Sequence, residues 1–202
     1  IPESIGNLSE LTELYFSFNF LSGPIPVTIG NLSDLTMLSI MTNQLSGEIP
    51  STIGNLVNLA SLNAAYNQLE GEIPESIGNL TNLDKLWLNF NNLSGEVPSS
   101  ICNLNTLNWS SNGFEGEDSY LNNNKLCPPY PGCIEENVGY QDTSECSDLG
   151  DLNGDGQLNI LDLVTLANLI LAEAYDEIAD FNVDEQLNIL DIVILVNIIL
   201  DT

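Results

Sequence analysis

Positively charged side chains are almost absent from this chain. Lys85 and Lys125 are the only basic residues among 202, against 29 aspartates and glutamates, and there is no histidine, so the formal net charge is −27. A surface this acidic repels phosphate backbones and anionic lipids, which excludes nucleic acid and negatively charged membranes as partners. Self-repulsion of this size destabilises a folded chain unless cations screen it. We therefore expect a surrounding medium rich in salt or calcium.

Several kinds of chemistry also lack the residues that they need. There is no histidine to act as a general base, no cysteine paired with a base, and no glycine-rich phosphate loop outside two acidic loops near the C-terminus. No uninterrupted apolar run reaches the length of a membrane span. We expect a binding protein that is not an enzyme and does not insert into a membrane.

Cysteine is scarce but clustered, and this predicts disulfides. The four cysteines, Cys102, Cys127, Cys133 and Cys146, lie within a stretch of 45 residues. An even number in so short a stretch favours an oxidising compartment, hence an extracellular or cell-surface location, over the alternative of reduced buried thiols. Three pairings are possible, and the compact segment CPPYPGC favours Cys127 with Cys133, which leaves Cys102 for Cys146.

Prolines recur through the first half of the chain at a constant interval of 24 residues, and the sequences between them are close copies. They are Pro2, Pro26, Pro50, Pro74 and Pro98. The fifth copy is three residues shorter, so five units span residues 1–117. A repeat of this length with regularly spaced leucines predicts a solenoid with one short strand per turn. In the first unit we expect four side chains to point inward: Leu11, Leu14, Phe16 and Leu21.

Asparagine also recurs once per repeat, after the last leucine of each predicted strand. The positions are Asn19, Asn43, Asn67, Asn91 and Asn112. A buried amide can satisfy the backbone groups that a turning chain leaves without partners. We interpret these residues as a structural ladder.

The segment LSGxIPxxIGNL resembles the plant-type extracellular leucine-rich repeat. The resemblance implies a second small sheet at LSGxIP and a short 3₁₀ turn at xxIGNL. After the shortened repeat, NNNKLCPPYPGC resembles the cysteine-bearing C-terminal cap of plant receptor ectodomains. We therefore assign residues 118–148 to a cap and linker.

The exposed strand positions are the candidate recognition surface of the solenoid. Five aromatic residues fall there: Tyr15, Phe18, Tyr66, Trp87 and Phe90. Aromatic side chains on a rigid sheet suit contact with a protein or stacking on sugar rings, because they offer apolar area at low entropic cost. The alternative is that some of them cover the edges of the core.

Near the C-terminus a second repeat appears, with an interval of 29 residues: GDLNGDGQLNILDLVTLANLIL and ADFNVDEQLNILDIVILVNIIL. Each copy places oxygen-bearing side chains at positions 1, 3, 5, 9 and 12 of a 12-residue loop, and position 7 can supply its carbonyl. This spacing predicts two calcium ions. The predicted ligands are Asp151, Asn153, Asp155, Gln157, Asn159 and Asp162 in the first loop, and Asp180, Asn182, Asp184, Gln186, Asn188 and Asp191 in the second.

A terminal aspartate and a helix only on the C-terminal side of each loop make residues 149–202 resemble a type I dockerin. The resemblance implies calcium-dependent folding of a small all-α domain and docking onto a cohesin-like partner. Three features depart from the family pattern. Glu185 stands where the first loop has Gly156, and apolar pairs replace the Ser-Thr common in the family: Ile160 with Leu161, and Ile189 with Leu190. The basic pair that is common later in the helix is absent.

The sequence thus predicts an α/β solenoid of leucine-rich repeats followed by a small all-α dockerin-like domain with two calcium loop-helix units. The function that it favours is a secreted adhesion or recognition protein, whose repeats bind a protein or glycan while the C-terminal domain tethers it. The alternative is a subunit of an extracellular filament, in which copies of the chain join head to tail with calcium-stabilised contacts.

Overall fold

The structure is a computed structural model that describes residues 1–110, 118–143, 146, 150–153, 158–182, 184 and 186–201. The chain forms two compact units, Ile1–Asp142 and Thr143–Thr202. The first unit is the predicted leucine-rich repeat solenoid, with parallel strands and short 3₁₀ turns, and the second holds two helices. The predicted fold class is confirmed.

Each repeat opens with a short 3₁₀ turn that begins directly after a proline. In the second repeat, Pro26 is extended, with φ −68° and ψ 141°, and its ring holds φ so that the turn starts at the next residue. The N–H of Leu32 bonds to the carbonyl of Ile29 at 3.1 Å and closes the turn. The five turns are Glu3–Asn7, Val27–Asn31, Ser51–Asn55, Glu75–Asn79 and Ser99–Asn103.

Two parallel sheets run along the solenoid, and each takes one strand from each of the first four repeats. The first sheet comprises β1 Glu13–Tyr15, β3 Met37–Ser39, β5 Ser61–Asn63 and β7 Lys85–Trp87, in that order. The second comprises β2 Ser22–Gly23, β4 Gln44–Gly47, β6 Gln68–Gly71, β8 Asn92–Glu96 and β9 Lys125–Cys127. In the first sheet Leu38 pairs with Leu14 on one side and with Leu62 on the other. The 24-residue period therefore sets the register directly.

The core of the solenoid consists of leucines and isoleucines at equivalent positions of successive repeats. Leu14 belongs to this buried cluster, and Leu11, Phe16 and Leu21 are partly buried and pack against it. The four inward positions predicted for the first repeat are therefore in contact with the core.

The predicted asparagine ladder joins consecutive repeats through side-chain hydrogen bonds. The amide of Asn67 donates to the carbonyls of Ile40 and Ala64, at 3.0 and 3.1 Å, and its oxygen accepts from the N–H of Leu45 at 3.0 Å. Asn43 and Asn91 make the equivalent bonds. These bonds confirm the ladder prediction for the interior repeats.

The ladder continues past the predicted end of the repeats. Asn112 lies outside the described residues, and the rung after Asn91 is Asn124, whose oxygen accepts from Leu93 N at 3.1 Å. Gln141 follows, because its amide oxygen accepts from Leu126 N at 3.3 Å. Since β9 also pairs with β8, residues beyond 117 share the sheet and the ladder of the repeats.

The disulfide pairing predicted from the sequence is wrong. Cys102 is bonded to Cys133, with 5.7 Å between their Cα atoms, which rules out both Cys127–Cys133 and Cys102–Cys146. Cys127 and Cys146 are also disulfide-bonded, and no cysteine is free. Cys102 occupies the place of the glycine in the repeated IGNL segment, and this position brings it to Cys133.

The second unit contains α1, Ile160–Leu171, a 3₁₀ turn, Glu177–Ala179, and α2, Ile189–Asp201. Its buried centre is formed by Leu166, Ala179, Phe181 and Leu195, with leucines and isoleucines of both helices packed around them. Among the described residues, no helix combines the length and the hydropathy that crossing a membrane requires.

Candidate calcium loops and recognition surfaces

A fully buried aspartate ties together the two ends of each predicted calcium loop. Asp191 accepts from the N–H of Phe181 at 3.0 Å through Oδ1 and from the N–H of Asn188 at 2.8 Å through Oδ2. In the first loop, Asp162 accepts from the N–H groups of Asn153, at 3.2 Å, and Asn159, at 2.8 Å.

The same residues cap the helices. Asn159 Oδ1 accepts from the N–H of Leu161 at 2.8 Å, while Asp162 bonds back to the N–H of Asn159, which is a capping box at the start of α1. Asn188 accepts from the N–H of Leu190 at 2.9 Å at the start of α2. The ninth and twelfth loop positions therefore have a structural role as well as a predicted ligand role.

The beginning of the second loop is also held by carboxylates. Asp180 is buried, and its Oδ1 accepts from the N–H of Asp184 at 3.2 Å, while its Oδ2 accepts from the hydroxyl of Tyr175 at 3.0 Å. The exposed carboxylate of Asp184 accepts from the N–H of Gln186 at 2.9 Å. The loop thus surrounds its carboxylates with its own backbone donors.

Ten of the twelve predicted calcium ligands lie within the described residues. Asp155 and Gln157 lie outside the described residues. Within the part of the chain that the structure describes, no three aspartates, glutamates or cysteines approach one another closely enough to form a metal site. The acids of the second loop are instead hydrogen-bonded to the loop backbone.

The donor set nevertheless suits calcium. Asp162 and Asp191 are fully buried, and residues 149–202 contain no lysine, arginine or histidine that could compensate their charges. Burial of uncompensated carboxylates is unfavourable, and calcium prefers carboxylate, amide and carbonyl oxygens, which are the groups of these loops. The chemistry of the residues present therefore fits calcium.

Both helices expose an apolar pair at their first turn, to the same extent. Ile160 and Leu161 are 69% and 55% exposed, and Ile189 and Leu190 are 71% and 54% exposed. Equal exposure in both copies shows that these pairs do not serve the core of their own unit. We call these four residues the apolar pairs.

The predicted aromatic surface of the solenoid is only partly assembled. The rings of Tyr66 and Phe90 stack with centroids 4.4 Å apart and an interplanar angle of 11°. Tyr15 and Phe18 are exposed, whereas Trp87 is half-buried and donates from Nε1 to the carbonyl of Asp118 at 2.6 Å. Trp87 therefore has a structural bond, and it is Tyr66 and Phe90 that form a joint surface.

A column of left-handed residues was not predicted from the sequence. The residue before each ladder position has a positive φ, between 52° and 57°: Phe18, Thr42, Tyr66, Phe90 and Asn123. Bulky and β-branched residues rarely adopt this conformation. The signal that could have revealed the column is its constant position, one residue before each ladder asparagine.

Two buried amide oxygens next to this column have no hydrogen-bond partner. They are Oδ1 of Asn89 and Oδ1 of Asn122, which occupy equivalent positions on neighbouring rungs. A buried acceptor without a partner is unfavourable by about 1–3 kcal/mol. The pair marks a place where a water molecule or a ligand donor would be stabilising.

Comparison with protein families finds two matches along the chain. The Leucine Rich Repeat model matches residues 10–32, 34–56, 58–80 and 82–104, and the Dockerin type I domain model matches residues 149–200. A search of curated proteins finds no match.

Among solved structures, plant proteins resemble the solenoid. The plant peptide hormone receptor RGFR1, solved with RGF2, is 36% identical, with a TM-score of 0.55 over 62% of this chain and 19% of the receptor chain. The Arabidopsis receptor kinase HAESA, solved with the peptide hormone IDA and the co-receptor SERK1, is 35% identical, with a TM-score of 0.59 over 70% and 23%. A plant ice-binding protein is 35% identical, with a TM-score of 0.53 over 62% and 38%. The chain thus matches about a fifth of each receptor chain.

The fold, the two loops and the family matches together define a class, that of modular recognition proteins. The repeats are similar to those of plant extracellular receptor ectodomains, and a dockerin is a module for protein docking. This chain contains leucine-rich repeats followed by a dockerin type I domain.

Proposed function

We propose that this protein is a secreted, calcium-binding adhesion or recognition protein, in which the solenoid binds a protein or glycan and the dockerin domain docks the molecule onto a protein partner. The observation that carries the proposal is the equal exposure of the apolar pairs in both copies of the loop-helix unit. Both parts belong to families of recognition modules, and the proposal assigns no catalytic step to the chain.

Docking requires a partner that covers the apolar pairs. Burying four isoleucine and leucine side chains is favourable by about 1.5–3 kcal/mol each relative to leaving them exposed. A cohesin-like domain is the proposed partner, because the domain matches a dockerin. The secreted location is supported by the Cys102–Cys133 disulfide, since disulfides persist in oxidising compartments.

Binding to immobilised type I cohesins, measured by biolayer interferometry with calcium and with EGTA, tests the docking step. We expect calcium-dependent binding that falls at least about tenfold in the double variant Ile160→Asp/Ile189→Asp, because a charge on each pair opposes burial. Val57→Asp is the matched control: Val57 is likewise exposed, but it lies on the solenoid and should leave binding unchanged.

Light scattering on the same samples separates the cohesin from the alternative partner. Growth of the protein into filaments on calcium addition, lost in the double variant, would replace the cohesin by a second copy of the chain. An absence of any calcium-dependent association would contradict docking altogether.

Calcium is the proposed cofactor, with one ion in each loop. If Asp191 is a ligand, Asp191→Asn should reduce the number of ions bound in isothermal titration calorimetry from two to one. Asp176→Asn is the control, because it removes the same charge from the same unit outside the loops. Equal stoichiometry in the two variants would exclude Asp191 as a ligand.

A further inference from the structure

The column of left-handed residues carries an aromatic ring at three of its first four rungs, and one rung has none. Phe18, Thr42, Tyr66 and Phe90 occupy equivalent positions, and each donates its backbone N–H to a carbonyl of the following rung at 3.0 Å. Three of these four residues are aromatic. Thr42 alone is small, so the row of rings is interrupted at the second rung.

The width of this gap follows from the spacing of the strands. Neighbouring parallel strands lie about 4.8 Å apart, so Phe18 and Tyr66, which are two rungs apart, are separated by about 10 Å. A single flat group above Thr42 would then lie within about 5 Å of a ring on each side. Tyr66 and Phe90 already stack at a similar distance, 4.4 Å.

The backbone at the gap is in an unfavourable conformation. Thr42 has φ 52°, and a β-branched residue is among the least tolerated in the left-handed region. Strained positions persist where the surrounding structure enforces them, and here the bend shared by all rungs enforces this conformation on Thr42. A small residue at this rung keeps the space between Phe18 and Tyr66 open.

The chemistry around the gap favours a planar cation. Aromatic faces attract cations, and arginine stacks on them because its guanidinium is flat. The exposed side chains of Gln44 and Gln68, two residues after Thr42 and Tyr66, carry amide oxygens that can accept its N–H donors. Residues 1–142 contain 16 acidic and two basic residues, so the field of the solenoid attracts a cationic partner.

We propose that the slot between Phe18 and Tyr66, above Thr42, binds the guanidinium group of an arginine from a partner protein. The inference rests on the proposed function, because it takes the solenoid to be a recognition surface. It adds the chemical identity of one contact on that surface.

Titration of the full chain with the peptide acetyl-Gly-Arg-Gly-amide tests this proposal, followed by NMR of the labelled tyrosine and phenylalanine rings. We expect saturable shifts of the Tyr66 and Phe18 rings, with a dissociation constant on the order of millimolar for a single contact. The citrulline peptide keeps the flat shape without the charge, and the lysine peptide keeps the charge without the plane. Both should bind at least about fivefold more weakly.

Two variants at one position complete the test. Thr42→Phe introduces the residue that Phe18 and Phe90 carry in the same backbone conformation, so it should fold, fill the slot and weaken binding at least about tenfold. Thr42→Ser leaves the slot open and should bind like the original protein.

Equal binding of the citrulline or lysine peptide, binding that Thr42→Phe does not change, or no shift of the rings would each overturn the proposal. None of these results depends on the cohesin assay, which uses Ile160 and Ile189. Failure of the arginine slot is therefore distinguishable from failure of docking.

Discussion

Gly54 shows how one missing atom sets the distance between two repeats. A Cβ on Gly54 would lie 2.4 Å from the backbone oxygen of Ser76 in the next 3₁₀ turn, and Gly6, Gly30 and Gly78 make the same approach. Because backbone, not a flexible side chain, stands in the way, an added methyl group must push two repeats apart.

We predict that Gly54→Ala lowers the free energy of unfolding by about 2–3 kcal/mol, as expected for overpacking against a rigid neighbour. Urea unfolding followed by far-ultraviolet circular dichroism measures the change. Gly132→Ala is the matched control, since nothing lies within 4 Å of its added Cβ. Equal midpoints of urea unfolding for the two variants would show that the 3₁₀ turns of neighbouring repeats do not pack this closely.

A second prediction at this scale concerns Tyr130. Burial raises its pKa to about 12, and its hydroxyl donates to the carbonyl of Leu126 at 2.9 Å. Because the pKa in the folded state exceeds the unfolded value of about 10, the contribution of Tyr130 to stability is complete below pH 10 and is lost between pH 10 and 12. Ultraviolet absorbance measured against pH should show one phenol that ionises late, at about pH 12, and Tyr130→Phe should remove this step. If the late step survives in the variant, it belongs to another tyrosine.

At the scale of elements, the asparagine ladder joins the individual strands into one solenoid. Each interior amide bonds to its own rung and to the one before it, so the unit of stability is the pair of repeats. We predict that Asn67→Ala lowers the free energy of unfolding by about 2–3 kcal/mol, because it leaves the N–H of Leu45 without its acceptor and removes one of the donors to the carbonyls of Ile40 and Ala64. The control is Asn55→Ala, an exposed asparagine of a 3₁₀ turn, which should change stability by less than about 0.5 kcal/mol.

The asparagine ladder also shows how much of the fold could be predicted from the sequence. Strands, turns and the rungs Asn43, Asn67 and Asn91 follow from a period of 24 residues, because closely similar sequences adopt the same local structure. The rungs Asn124 and Gln141 do not keep this period. A ladder requires only the right register, and a longer connection between rungs adds little entropic cost. The pattern LNNNKL, which places Leu121 before Asn124 as Leu88 stands before Asn91, was the available signal.

The candidate sites were predictable to a smaller extent. Loop spacing singled out Asp162 and Asp191 as predicted ligands, and the structure shows that they also cap the helices. The disulfide was not predictable in the same way, because the proximity of Cys102 and Cys133 depends on where the last 3₁₀ turn lies in space. The left-handed column was missed because φ is set by the bend of the chain and not by the residue types, which differ between Thr42 and Tyr66.

At the scale of the whole molecule, charge is distributed unevenly between the two units. Residues 143–202 carry 13 acidic and no basic side chains, against 16 acidic and two basic ones in the longer residues 1–142. Repulsion is therefore denser in the dockerin domain, and the cations that relieve it can act in two ways. Ions in solution screen both units, whereas ions bound within the loops stabilise one.

Calorimetry can separate these two effects. We predict that sodium chloride raises the melting temperatures of both units, because screening does not depend on a site. Calcium at the same ionic strength should stabilise the dockerin domain further, by about 2.7 kcal/mol for each bound ion when its concentration is 100 times the dissociation constant. Magnesium serves as the control, since it requires a stricter geometry and retains its water. Equal shifts with calcium, magnesium and sodium would mean that the loops act only as a diffuse negative charge, and the assignment of one calcium ion to each loop would then be wrong.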